Sequence, residues 1–150
     1  GRVGGRVGPP AHVRRVERLA QTRCTGPSHA AQVAALAALA AGEELRANLA
    51  AYAENRRLML EGLPKAGFTE IAPPDGAFYV YADVSAITDD SLGFAKAILE
   101  EAGVAVTPGL DFDPARGGGT LRFSYATGTA DIREGLARLE AFMRARGHIA

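Results

Sequence analysis

Thr120-Leu121-Arg122-Phe123-Ser124-Tyr125-Ala126 sets a permanent cation inside an apolar alternation. Leu121, Phe123 and Tyr125 alternate with Thr120, Arg122 and Ser124, the period of a strand with one buried face. Guanidinium cannot shed its proton, and its planar fork suits a two-pronged grip on a carboxylate. Two readings follow for Arg122: a salt-bridged residue at a sheet edge, or a binding group for an anion. Other candidates for chemistry are few. Of the 17 basic residues only Lys65 and Lys96 are lysines. Covalent catalysis needs a desolvated amine of depressed pKa, and neither position suits it. Lys65 falls in the turn Pro64-Lys65-Ala66-Gly67, while Lys96 stands four residues before Glu100, the spacing of a surface ion pair. A single cysteine, Cys24, excludes an internal disulfide and leaves no cysteine-based zinc set, so no metal site is expected.

The rest of the composition narrows the class. A chain of 150 residues, 47% of them hydrophobic, can bury a real core. Formal net charge is zero, which suggests neither nucleic acid nor an anionic membrane surface as a partner. No apolar run approaches the ~20 residues that span a bilayer, and no secretory signal is visible at Gly1. The reading is a soluble, cytoplasmic protein.

Several elements must position Arg122. Residues 11–23 carry Val13, Val16, Leu19 and Ala20 at helical spacing. Ser28 is an N-cap candidate for a strongly apolar helix from His29 to Ala41, which Gly42 should end. A helix so apolar is expected to be covered on most sides. The next helix should run from Glu43 to about Leu63, with Leu45, Leu49, Tyr52, Arg56, Met59 and Leu63 on one stripe. Beyond it the rhythm changes to short strands at Phe68–Ile71, Ala77–Ala82 and Val104–Val106. Pro73-Pro74-Asp75-Gly76 is a turn. A helix from Ser91 to Ala102 should turn Leu92, Ala95, Ile98, Leu99 and Ala102 inward and stop at Gly103. Asp111–Gly119 is loop. Thr129 is expected to cap a last helix with Ile132, Leu136, Leu139, Phe142 and Met143 inside. From about residue 46 onward the pattern is an α/β sandwich of a small sheet and covering helices.

Three stretches, in order, carry a resemblance. They are Arg2-Val3-Gly4 with Gly8-Pro9-Pro10; Pro74-Asp75-Gly76-Ala77-Phe78-Tyr79-Val80; and Gly103-Val104-Ala105-Val106-Thr107-Pro108-Gly109 followed by Leu121-Arg122-Phe123-Ser124-Tyr125-Ala126. Together they resemble the C-terminal part of a class I/II, fold type I aminotransferase dependent on pyridoxal 5′-phosphate, of the aspartate aminotransferase kind. The fold implied is α/β, with the end of the large cofactor-binding domain over residues 1–45 and the small C-terminal domain over 46–150. Gly5 and Arg6 depart from the family pattern, where an aromatic and an apolar residue are common.

What the resemblance implies is carried residue by residue. Arg2 matches the arginine that binds the cofactor's phosphate, against the plainer reading of a solvated arginine. Arg122 matches the arginine that clamps the substrate's α-carboxylate. Phe78 matches an aromatic on the substrate side, or is a core phenylalanine. Gly109 and Phe112 lie on a loop similar to one that borders the entrance. The family's Schiff-base lysine is expected upstream of Gly1, so no catalytic residue is assigned here and the chain alone is expected to be inactive. The parent protein would transfer an amino group between an amino acid and a 2-oxo acid, as a homodimer. A C–S lyase or cyclopropane-forming synthase on the same scaffold, and a non-catalytic amino-acid-binding α/β domain, are the alternatives.

Overall fold

The computed structural model describes residues 3–5, 7–23 and 26–150. Two compact units divide the chain, Gly1–Ala47 and Asn48–Ala150. The first holds α1 (Pro10–Arg23), α2 (His29–Ala40) and the start of α3 (Gly42–Lys65). Ser28 caps α2, its Oγ accepting from the Ala31 amide at 3.3 Å. The break after α2 comes one residue earlier than expected. Ala41 leaves helical geometry at φ −84°, ψ 48°, and its carbonyl accepts from the Leu45 amide, so Gly42 begins α3 instead of ending α2. No residue of α1 or α2 is buried within this chain. Val33, Leu36 and Leu39 of α2 stand 53%, 72% and 84% exposed, a strongly apolar helix without cover of its own.

The second unit is built on a four-stranded, wholly antiparallel sheet. Its strands are β1 (Glu70–Ile71), β2 (Tyr79–Asp83), β3 (Thr107–Pro108) and β4 (Thr120–Ser124), in the order β1-β2-β4-β3. Alternation decides its faces. Val80, Ala82, Leu121 and Phe123 point into the core with Leu58, Met59, Leu63, Phe68 and Ile98. β2 starts two residues later than the sequence suggests because Ala77 sits at φ 62°, a left-handed backbone that a strand cannot contain. The strand expected at Val104–Val106 lies instead at Thr107–Pro108, where Thr107 and Pro108 pair with Arg122 and Leu121. Pro108 has no amide hydrogen, and β3 is an edge strand, the place in a sheet that tolerates proline.

Two helices complete this core. α4 (Ser91–Ala97), N-capped by the Asp90 carboxylate, passes into a π-helical turn at Ile98–Ala102 that ends at Gly103, φ 66°. Its buried face is Ser91, Phe94, Ala95 and Ile98, whereas Leu92 and Leu99 are exposed, contrary to expectation. Phe94 decides this: its ring meets Phe142 of α5 (Thr129–Ala145) at 6.0 Å, and that packing selects the row it belongs to. Gly128 takes the cap position of α5 and Thr129 becomes its first helical residue. Ile132, Leu139, Phe142 and Met143 face inward. Leu136 lies over Gly62, where a Cβ would come within 2.6 Å of its Cδ1.

One polar side chain ties α3 to the end of β4. Asn55 is fully buried, and its Nδ2 donates to the carbonyls of Tyr125 at 3.0 Å and Thr127 at 2.8 Å. Removing that donor strands two acceptors. Asn55→Ala should cost about 2 kcal/mol or more, read as a lower urea midpoint at unchanged slope. Asn55→Asp should cost more still, because a carboxylate cannot donate to a carbonyl.

Candidate functional site

β4 is an inner strand, so Arg122 is not at a sheet edge. It sits opposite Tyr81 of β2 on one side and Thr107 of β3 on the other, on the sheet face away from the core. Tyr79 lies diagonally from it, within reach of a long side chain. The guanidinium carbon stands 4.4 Å from the Phe112 ring centroid and 5.1 Å from that of Tyr79. Nη2 donates to Thr107 Oγ1 at 3.4 Å, a long contact. Nε is buried without a hydrogen-bond partner, and among the described residues no carboxylate lies within salt-bridge distance of Arg122.

The chemistry of this arrangement is anion binding. A half-buried cation whose Nε is wholly buried is costly without a countercharge, and aromatic rings offset only part of that cost. A carboxylate would supply the missing charge and accept from the unused N–H groups.

Close backbone packing holds the loop that carries Phe112. A Cβ on Gly117 would lie 2.3 Å from the Gly109 carbonyl carbon, and one on Gly109 would meet Gly117 O at 2.8 Å. Only glycine at both positions lets the two ends of the loop touch. Inside the loop, Asp113 Oδ1 accepts from the amides of Ala115 and Arg116 at 3.0 and 3.1 Å, and Oδ2 accepts from Arg116 Nε at 3.1 Å. Those amide bonds, followed by the guanidinium, hold the Asp113 carboxyl below the ordinary aspartate range. Beside the site, Tyr81 Oη and Thr120 Oγ1 share a hydrogen bond of 2.8 Å that joins β2 to β4.

The sequence-derived candidates fall differently. Arg2 lies outside the described residues. Phe78 is 47% exposed and stands one ring away from the guanidinium. Its ring meets Tyr79 at 6.0 Å and Tyr52 at 6.4 Å. Gly109 is buried as a packing element, while Phe112 lies over Arg122. Lys65 and Lys96 are exposed, and Lys96 Nζ is 3.8 Å from Glu100. Tyr79 and Thr107 are the partners that sequence reasoning missed. Tyr79 alternates with Val80 on β2 and could have been placed on the Arg122 face, but its diagonal position needs the strand register.

Comparisons with known proteins point one way. The family model for aminotransferase class I and II matches residues 1–139. The chain is 44% identical over 144 residues to the valine–pyruvate aminotransferase of Mycobacterium tuberculosis, covering 95% of this chain and 37% of that protein. It is 39% identical over 141 residues to the aspartate/prephenate aminotransferase of Thermus thermophilus, covering 91% and 35%. Among solved structures, a protein of Silicibacter pomeroyi provisionally assigned as an aminotransferase matches with TM-score 0.87 and 71% identity over 93% of this chain and 38% of that one. An aminotransferase from Mycobacterium tuberculosis matches with TM-score 0.83 and 44% identity over 92% and 36%. The chain thus spans little more than a third of the length of these relatives.

The glycine contacts give a paired test. Gly117→Ala places a methyl group against backbone that cannot rotate away, and should cost roughly 1–3 kcal/mol, seen as a lower thermal midpoint. Gly135→Ala, inside α5 with nothing within 4 Å of its would-be Cβ, should instead raise the midpoint by the helix propensity of alanine, about 1 kcal/mol at most.

Proposed function

This chain belongs to the aminotransferase class I and II family, and on that premise we propose that the whole protein transfers an amino group between an amino acid and a 2-oxo acid, with pyridoxal 5′-phosphate as cofactor. The observation that carries the reading is the buried, unpartnered Nε of Arg122 on a guanidinium that has no countercharge among the described residues. That donor set fits the α-carboxylate of an amino acid brought up to the cofactor. Arg2 would hold the cofactor's phosphate, a task for a forked and permanent cation. The lysine that carries the cofactor is not one of the residues here, since Lys65 and Lys96 are solvated surface charges, and activity is therefore proposed for the whole protein.

When bound, the cofactor supplies an electron sink that makes the substrate's Cα–H acidic. The residues of this chain contribute position. Arg122 would fix the carboxylate, which restricts rotation about Cα and presents the bond to be broken in one orientation. Tyr79 and Phe112 place two rings within cation–π distance of the guanidinium and would reduce its contact with water, so the charge pair would form at lower dielectric and gain strength. Phe78, largely exposed, would border the substrate. Residues 1–45 would close the large cofactor-binding domain and 46–150 form the small one, a division supported by the two compact units.

The named relatives are transferases of amino groups, which supports transfer over elimination. Valine and aspartate are the first donors to try among the twenty common amino acids. A homodimer in the cytoplasm belongs to the same reading. The bare apolar face of α2 supports burial against further protein.

Arg122→Ala in the whole protein should lower kcat/KM by the equivalent of roughly 2–5 kcal/mol, the loss expected for a two-pronged charge pair in a desolvated site. Arg122→Lys should recover only part, because a point charge cannot reproduce the fork. Wild-type kinetics in Arg122→Ala would end the carboxylate assignment. Sedimentation at micromolar concentration should give a dimer, and a monomer would refute that part of the reading.

A further inference from the structure

We propose that Phe112 is a positioning residue for Arg122: its ring covers one face of the guanidinium and holds the fork in the plane that receives a carboxylate. The inference rests on the reading of Arg122 as the carboxylate site. Three observations carry it. Phe112 is 53% exposed although it is a large apolar side chain, so burial of its own surface does not explain where it sits. Its centroid is 4.4 Å from the guanidinium carbon, nearer than that of Tyr79 at 5.1 Å. The loop beneath it is held at both ends by the Gly109–Gly117 contact and in its middle by the bonds to Asp113.

Without such a cover Arg122 has little to hold it. Among the described residues its one polar contact is the 3.4 Å approach to Thr107, and long arginine side chains lose rotamer freedom only at a cost. Two rings at cation–π distance restrict the side chain's rotation and leave Nε without an acceptor among the described residues. The carboxylate then meets a fork that is already oriented, and less freedom is lost on binding. Tyr79 is carried by a paired strand, whereas Phe112 is carried by a loop. Phe112 is therefore the ring of the two that can be altered with the sheet left intact.

The test uses the whole protein with Phe112→Ala, Phe112→Tyr and Arg122→Gln. Two readouts are taken: the rate at which phenylglyoxal labels Arg122, followed by peptide mass spectrometry, and KM for the donor that ranks first among the twenty amino acids. Phe112→Ala should speed labelling of Arg122 severalfold and raise KM by about 3- to 30-fold, more than it lowers kcat, the range expected from losing a cation–π contact. Phe112→Tyr keeps a ring face and should restore both. In the Arg122→Gln background Phe112→Ala should raise KM no further. Unchanged labelling and KM in Phe112→Ala would overturn the proposal, as would an equal rise in KM with Arg122 already removed, since Phe112 would then act on the substrate directly. Wild-type KM in Arg122→Gln would instead overturn the carboxylate reading beneath it, and the labelling rates would still report whether the ring covers the guanidinium.

Discussion

A cation with no countercharge among the described residues, set in the middle of a sheet, is the constraint around which the second unit is arranged. Arg122 cannot become neutral, so its surroundings must tolerate a charge or await an anion. They do both in part. Two rings and one hydroxyl face it, and its Nε is left buried without an acceptor. Polar groups in that condition persist where function needs them, because folding alone would select against them.

The rest of the unit is the means of holding that residue still. β4 is fastened on both sides, by β2 and β3, and its exit is pinned by Asn55 from α3. The core face of β4 is as strictly apolar as its other face is polar, so a one-residue slip would bury Arg122 and expose Leu121 and Phe123. Register and site geometry are thus one property. The glycine contacts extend the same rigidity to the loop bearing Phe112. Backbone packed against backbone has no rotamers with which to relax.

The first unit has the opposite character. Its helices form by local rules, with Ser28 as an observed cap and good helix formers throughout, yet none of α1 or α2 is buried. Two short helices cannot enclose a core, and a face as apolar as that of α2 needs further protein to cover it. The named relatives in its family are more than twice as long as this chain.

Local signals made most of the molecule legible from its sequence. Helical spacing and capping residues located α1, α2, α3 and α5 to within a residue or two, and strict alternation located β4 with Arg122 on its polar face. The order of short motifs was enough to indicate the family. These features depend on residues close together in the chain, where periodicity and backbone preference act directly. What the sequence left open were matters of long-range pairing. The edge strand lies at Thr107–Pro108 and not at Val104–Val106 because the partner's register chose it. Leu92 and Leu99 face outward because Phe142, far along the chain on α5, favoured Phe94. Tyr79, Thr107 and Phe112 surround Arg122 only once three separate segments are brought together. Alternation shows which residues share a face, but only tertiary packing decides what that face meets.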